Sequence, residues 1–445
     1  MANCVRLALQ RDRPMSSPHI DTAPTLRPCG LALTPVEAAR GLAHLPGLVF
    51  LDSSTAEAEP YRTDSRFSLV AARPVEVLEG DFFHAPDRER LRQRLAATGG
   101  PGDTPDCGYP AGGAIGWIEY EGRFRFGLYP EVLIYDHRHE SWLERGDLSR
   151  AIDPGAPPAG PAPLPGPFLA NQTPDQFQAA VRRAQEYIAA GDIYQVNLSR
   201  RLRAAWPGEK MPLFAPLDLY ERLRDASPAP FAAYLALGGD RHVLSSSPEL
   251  FLEISGSAIR TRPIKGTRPR FRDPAEDEQS AYDLLTSPKE IAELIMITDL
   301  ERNDLGQICE YGSVRATDLL KLERYAQVFH LVSTVEGQLR PGIDSIEALA
   351  ACFPGGSITG APKRRAREII AELEPEPRGL YTGAIGLFGY NGESRFSIAI
   401  RTALIERDEI HFHTGAGIVA DSEPEKEYAE TGHKAAGILR ACGVG

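Results

Sequence analysis

Residues 231–265 read FAAYLALGGDRHVLSSSPELFLEISGSAIRTRPIK. This stretch reads as strands over 231–238, 242–255 and 257–265, following one another directly with no helix between them. Strands joined in this way pair antiparallel. The same pattern recurs outward from this segment. Upstream it covers 193–203, and downstream 381–390, 395–406 and 409–413. Nearer the N-terminus, Leu48-Val49-Phe50-Leu51-Asp52-Ser53-Ser54 and Arg66-Phe67-Ser68-Leu69-Val70-Ala71-Ala72 read as strands, and 116–135 is strand-like and aromatic. Helices are fewer. Thr173 caps one, with Pro174 at its first position, Phe177, Val181, Ala184 and Ile188 on one face, and Gly191 closing it. The capping box Ser287-Pro288-Lys289-Glu290 opens a second that runs to about Leu300. A last helix starts near Ser422 and ends near Cys442. The sequence therefore predicts an α+β fold of large antiparallel β-sheets packed together and covered by helices.

The chain has 445 residues, a length that suggests about three domains. Hydrophobic content of 42% and charged content of 25% are ordinary for a globular protein with a large core. The net charge of −12 argues against nucleic acid or an anionic membrane as the main partner. An anionic small substrate must then be met by local cations or by a metal. Six cysteines are scattered without a CxxC pair, which reads as reduced thiols. No apolar run has the length of a signal peptide or a membrane span, so a cytoplasmic location is expected. Residues 1–30 read as a poorly ordered leader, and 98–114 as a Gly/Pro-rich surface loop. The segment DPGAPPAGPAPLPGP at 153–167 lies in a linker over 151–169 that divides an N-terminal region, 31–150, from a C-terminal region, 170–443.

Several residues point to chemistry. Lys265 stands in Arg262-Pro263-Ile264-Lys265-Gly266-Thr267-Arg268. An ordinary lysine is about 0.1% neutral near pH 7.5, so a nucleophilic one needs neighbouring cations or a desolvated turn; this heptapeptide offers both, or is a surface loop. Ile291, Leu294, Ile295, Met296 and Ile297 go most of the way round the second helix, so Glu293 among them is expected to be buried and to need a partner, a proton or a cation. Glu427, Glu430 and Lys434 share one face of the last helix. They form either a solvated charged face or, with Glu293, an oxygen site that suits Mg²⁺ better than Zn²⁺. Two glycine-rich segments, Phe353 to Lys363 and Thr414 to Ser422, precede helices, with Pro362 expected at a first helical position. Each is a tight strand-to-helix turn or an anion site. His330 lies in apolar surroundings, and Arg401 in a strand fit for burial, where an arginine usually meets a carboxylate.

The motifs GDIYQVNLS, SSSPELF, PIKGTRPR, AELIMITDLERNDLG, FPGGSITGAPK and TGAGIVADSEPEKEYAET occur in this order, and together they resemble the chorismate-utilising enzymes. That family includes anthranilate synthase component I, aminodeoxychorismate synthase component I, isochorismate synthase and salicylate synthase. The resemblance is strong over about 170–440 and weaker over 45–75. It implies that Glu293 and Glu430 hold Mg²⁺ with help from Glu427, and that Mg²⁺ and Lys434 meet the ring carboxylate. It implies that Tyr381, Arg401 and the amides of Gly415 and Gly417 bind the enolpyruvyl carboxylate. His330 and Ser357 would line the site near the ring hydroxyl, Glu249 would be the general acid, and Lys265 would attack C2 of the ring before ammonia enters at C4. Gln195 stands where the isomerases and salicylate synthases carry a lysine base, which disfavours addition of water. Lys265 stands where anthranilate synthases usually carry alanine, which resembles the branch that makes aminodeoxychorismate for p-aminobenzoate and folate. The alternative is the anthranilate branch. No cysteine lies in a Gly-x-Cys-x-Gly turn, so ammonia is expected from a separate glutamine amidotransferase subunit. The N-terminal part resembles the region that binds tryptophan in relatives, with Ser53 as a possible contact. Asp52 departs from the Glu or His that many relatives carry there.

Overall fold

The computed structural model describes residues 26–54, 63–99, 108, 111–160, 164–207, 214–325 and 327–444. Among these, two large β-sheets of twelve and ten strands are formed. Neighbouring strands run antiparallel, as in Phe231–Leu235 with Arg241–Ser247 and Leu250–Ser255 with Ala258–Arg262. Val49, Leu69, Ile134, Leu235 and Val243 from the larger sheet pack on Ile115, Trp117, Ile385 and Leu387 from the smaller one. Each such side chain taken from water contributes about 1.5–3 kcal/mol. Helices Pro35–Gly41, Ala215–Ala226 and Pro424–Ala441 bury apolar side chains on the outer face of the larger sheet. Ala85–Gly99, Pro288–Gly306 and Ser345–Cys352 do the same on the smaller. The fold is α+β, as the strand pattern predicts.

Strands from both sides of the Pro/Gly-rich linker share each sheet. Val49–Asp52 pairs with Phe231–Leu235, and Gly113–Ile118 with Ala384–Gly389. The regions 31–150 and 170–443 are thus joined edge to edge, because these two N-terminal strands find ladder partners across the linker. Part of the expected leader over 1–30 is ordered: Arg27–Cys29 forms a strand on Ser141–Arg145, and residues 1–25 lie outside the described residues. The loop over 98–114 falls largely outside them too, and by Gly113 the chain is already a strand.

The long runs of the sequence are broken by backbone chemistry. The run 242–255 splits at Pro248, which lacks an amide for the ladder, and 257–265 splits at Pro263. The run 395–406 splits at Arg401, which has φ +49. By contrast 409–413 continues to Ile418. The helix capped by Thr173 forms over Pro174–Ala189, with Gln176 completing its capping box. The helix capped by Ser287 runs on to Gly306, and Glu290 turns towards Arg268 at 3.8 Å, so only the Ser287 half of its box forms. That helix is not buried all round. Glu293, Leu294 and Ile297 face the sheet, Ile295 is exposed and Met296 half-buried, because the sheet covers one side only.

Candidate active site

Two chain crossings between the sheets build the centre of the site. Glu249 follows Pro248 where the chain leaves Arg241–Ser247 in the larger sheet for Leu250–Ser255 in the smaller one. Arg401 occupies the return crossing, between Ser394–Ile398 and Thr402–Glu406. The crossings are stitched together: Ile398 N donates to Glu249 O (3.1 Å), Ser246 N to Arg401 O (3.0 Å) and Ser247 Oγ to Ile398 O (2.6 Å). Glu249 is buried, and burial pushes its carboxyl up against the pull of Lys265 and Lys434. The surrounding protein lowers the Arg401 guanidinium, opposed by Glu249 and Tyr325. Among the described residues the Arg401 guanidinium makes no hydrogen bond or ion pair, which leaves its fork open to a ligand carboxylate.

Lys265 lies on the strand Ile264–Pro269 and donates to Ser357 O at 3.2 Å. The flanking arginines do not crowd its amine, contrary to the expectation from the heptapeptide. Arg262 pairs with Asp64 and Glu323, and Arg268 turns to Glu290. What surrounds the amine is acidic instead: Glu249, Glu293 and Glu430 all interact with it. The strand bulges at Gly266 with φ +72, where an added Cβ would meet Leu284 Cδ1 at 2.6 Å, so glycine is required. Beyond the bulge Thr267 Oγ1 shares a hydrogen bond of 2.9 Å with Nδ1 of His330, which is buried edge-on to Tyr325.

The wall opposite is a strand, not the turn expected from its glycines. Glu409–Ile418 pairs with Gln195–Ala205 along its whole length. Trp206 N donates to Asp408 O, so even-numbered residues face that neighbour and the odd ones turn away. Gly415 and Gly417 therefore aim their amides at the other edge, where pairing with Thr402–Glu406 stops at Phe412. A Cβ on Gly415 would lie 2.6 Å from Tyr381 Oη, and one on Gly417 2.5 Å from Gln195 Nε2 and 3.6 Å from Lys265 Nζ. Glycine here keeps the backbone open to close approach. Tyr381 stacks on His413, which burial keeps well below its usual pKa and hence neutral. Lys434 Nζ donates to Gly415 O (3.0 Å) and pairs with Glu430 (2.7 Å). Pro362 is the cap of helix Lys363–Leu373 rather than its first residue, and Gly360–Ala361 pairs with Gln195–Val196 as a short strand.

The three carboxylates expected to hold a metal come from two helices. Glu427 Oε1 accepts from Ser422 Oγ (2.7 Å) and Lys289 Nζ (3.1 Å), while its Oε2 is buried with no hydrogen bond. Glu293 Oε1 is likewise buried and unmatched, with Lys289 Nζ at 4.0 Å. Burial pushes the Glu293 carboxyl up; at Glu430 burial does the same but Lys434 outweighs it and holds the group low. Among the described residues no three His, Cys, Asp or Glu side chains close around a single metal-sized point, so the expected triad is not drawn together. Lys289 lies in the gap. The donors nevertheless fit a hard cation, since two buried carboxylate oxygens lack a hydrogen bond.

Reading the sequence missed four supporting groups. Lys289 figured only as part of a cap. Glu301, one helix face along from Asp304, accepts from Thr261 Oγ1 (2.8 Å) and is pushed well above its usual range by burial and then by Glu249. Arg378 pairs with Glu374 and donates to Asn197 O (2.7 Å) and Ile358 O (3.0 Å), fixing the segment that carries Tyr381. His413 is the fourth. Lys289 and Glu301 lie within quoted motifs, but their roles were not legible there, because the groups they meet are distant in sequence. Ser53 lies elsewhere, at the end of strand Val49–Asp52, with its hydroxyl donating to Phe67 O (2.7 Å) and its amide to Ser68 Oγ (3.1 Å).

Residues 101–440 match the family model described as chorismate binding enzyme. The chain is 40% identical to anthranilate synthase component 1 of Streptomyces coelicolor, over 85% of this chain and 81% of that protein. It is also 40% identical to aminodeoxychorismate synthase component 1 of Bacillus subtilis, over 74% of this chain and 77% of that one. Anthranilate synthase component I from Streptococcus pneumoniae superposes with a TM-score of 0.72 at 30% identity, covering 84% of this chain and 92% of that structure. Among the described residues no helix is long and apolar enough to cross a membrane.

Proposed function

This chain belongs to the chorismate binding enzyme family and acts on chorismate, and we propose that it is the component that aminates C4 of that substrate, yielding 4-amino-4-deoxychorismate. The observation that carries this reading is the position of Lys265. Its amine lies 3.2 Å from Ser357 O, beside Gly417 and among Glu249, Glu293 and Glu430.

In this reading Arg401, Tyr381 and the edge amides of Gly415 and Gly417 hold the enolpyruvyl carboxylate. Lys434 meets the ring carboxylate, and His330 and Ser357 border the ring hydroxyl. Glu293, Glu430 and Glu427 would hold Mg²⁺, which when bound supplies positive charge opposite the ring carboxylate. Glu249, whose carboxyl burial raises, gives its proton to the 4-hydroxyl, which leaves as water; such assistance is worth about 10²–10⁴-fold. As that C–O bond breaks, the Lys265 amine lone pair forms a bond to C2 and both ring double bonds shift. Ammonia then bonds to C4, the C2–N bond to Lys265 breaks, and the proton shed by the new amine returns to Glu249. Two easier substitutions replace one hard one. Ammonia comes from a separate glutamine amidotransferase subunit, consistent with relatives named component 1.

The anthranilate branch is the second reading, favoured by the relative of equal identity that carries that name. Chorismate, Mg²⁺ and ammonium salt with the purified chain separate the two. Aminodeoxychorismate supports C4 amination, whereas anthranilate with pyruvate sinks it. Lys265→Ala should abolish a covalent chorismate adduct in the intact mass, while some turnover survives by direct attack of ammonia. An unchanged rate would make the lysine a bystander.

A further inference from the structure

The ammonium of Lys289 occupies the gap between the two carboxylates that have unmatched oxygens. Its Nζ lies 3.1 Å from Glu427 Oε1 and 4.0 Å from Glu293 Oε1. Both acids are more than nine-tenths buried, with Glu427 Oε2 and Glu293 Oε1 left without hydrogen bonds. Lys289 and Glu293 are one turn apart on the helix Pro288–Gly306, so the amine reaches the gap along its own helix face. The helix Pro424–Ala441 supplies Glu427 from the other side, and Ser422 Oγ orients that carboxylate at 2.7 Å. The ammonium and a divalent cation would compete for the same oxygens at the same place, and two cations cannot share it at that separation.

We propose that Lys289 is a tethered internal cation that fills the metal position of the resting enzyme and is expelled when a divalent cation enters. It follows that Lys289 sets the affinity for that cation and holds the two acidic helices together in its absence. The side chain is 43% accessible, so it has room to swing outward without disturbing the core. This rests on the reading of Glu293, Glu427 and Glu430 as the metal-holding set.

The test is calorimetric titration of Mg²⁺ into the full-length wild-type chain and Lys289→Met, with no substrate present. Methionine keeps the apolar stem and removes the charge. The variant should bind Mg²⁺ about tenfold more tightly, a change of ~1.4 kcal/mol. Its melting temperature without metal should fall, and the rise on adding saturating Mg²⁺ should exceed that of the wild type, because binding repays the lost internal cation. Equal or weaker Mg²⁺ binding by a folded variant overturns the proposal. If Lys289→Met proves unstable, Lys289→Gln gives the same comparison with a neutral polar tip. Binding of Mg²⁺ to neither protein overturns it as well, but through its premise. Product analysis then shows whether the chorismate chemistry itself still stands.

Discussion

Two buried polar clusters in this chain differ in one respect. Around Asp52 every group has a protein partner. Its carboxylate, shielded from solvent, accepts from Ser68 Oγ (3.0 Å), Tyr220 Oη (3.2 Å) and Arg224 Nε (2.7 Å). Ser53 and Ser54 beside it are tied to the backbone of Phe67 and Ala229. Around Lys265 the count does not close. Glu293 Oε1, Glu427 Oε2, Gln195 Oε1 and Asn197 Nδ2 are buried without hydrogen bonds, and Arg401 has no carboxylate. Buried polar groups that satisfy one another stabilise a fold, whereas unmatched ones destabilise the unliganded state and are retained where a ligand completes them. The first cluster is structural by this test and the second functional. The unmatched set contains both signs, as a substrate with two carboxylates and a metal would require.

That contrast can be broken experimentally. The largest effect is expected from Glu249→Gln, which should lower kcat about 10²–10⁴-fold while leaving the fold intact. A loss under tenfold would show that Glu249 is not the acid. Arg401→Met should lower kcat/KM about tenfold to a hundredfold, the worth of a hydrogen bond to a charged group. Its melting temperature should hold or rise, since an unpaired cation is removed; a marked drop would mean the arginine has a structural partner. Asp52→Ala should behave in the opposite way. It should cost about 3 kcal/mol of stability by removing the buried acceptor that Ser68, Tyr220 and Arg224 share, with kcat/KM of the folded fraction unchanged. A catalytic defect at full stability would move this cluster to the functional side.

The smallest expected effect concerns pH. Glu249, Glu293 and Glu301 are all raised by burial, so the folded chain keeps protons that the unfolded chain releases. Their contribution is complete below the ordinary glutamate pKa of about 4.3 and is lost as pH rises through the folded values. Glu301→Gln retains an oxygen for Thr261 but cannot ionise. Its melting temperature should therefore gain on the wild type between pH of about 5 and about 8. A constant difference across that range would show that Glu301 is not held protonated.

Much of the architecture was legible. The strand runs around 231–265 and 381–413, the cap at Thr173 and the helix of Glu427, Glu430 and Lys434 all depend on neighbours within a few residues. Where reading failed, the cause was non-local. Pro248 and Arg401 read as positions inside long strands, and only the sheets show that both mark crossings between them. Gly415 and Gly417 look like a turn until the partner strand Gln195–Ala205 is in place. The helix of Glu293 looks apolar all round, yet Ile295 faces solvent.

By itself the sequence determined the α+β class, the order of the motifs and the candidates for reactive side chains, because periodicity, caps and side-chain chemistry are properties of the chain before it folds. Only the tertiary structure decided which charges meet: that the arginines beside Lys265 are engaged elsewhere, that Arg401 is unpaired, and that Lys289 stands between Glu293 and Glu427. Electrostatic pairing falls off within a few ångströms, and in pairs such as Arg262–Asp64 and Lys289–Glu427 those ångströms are set between residues more than a hundred positions apart.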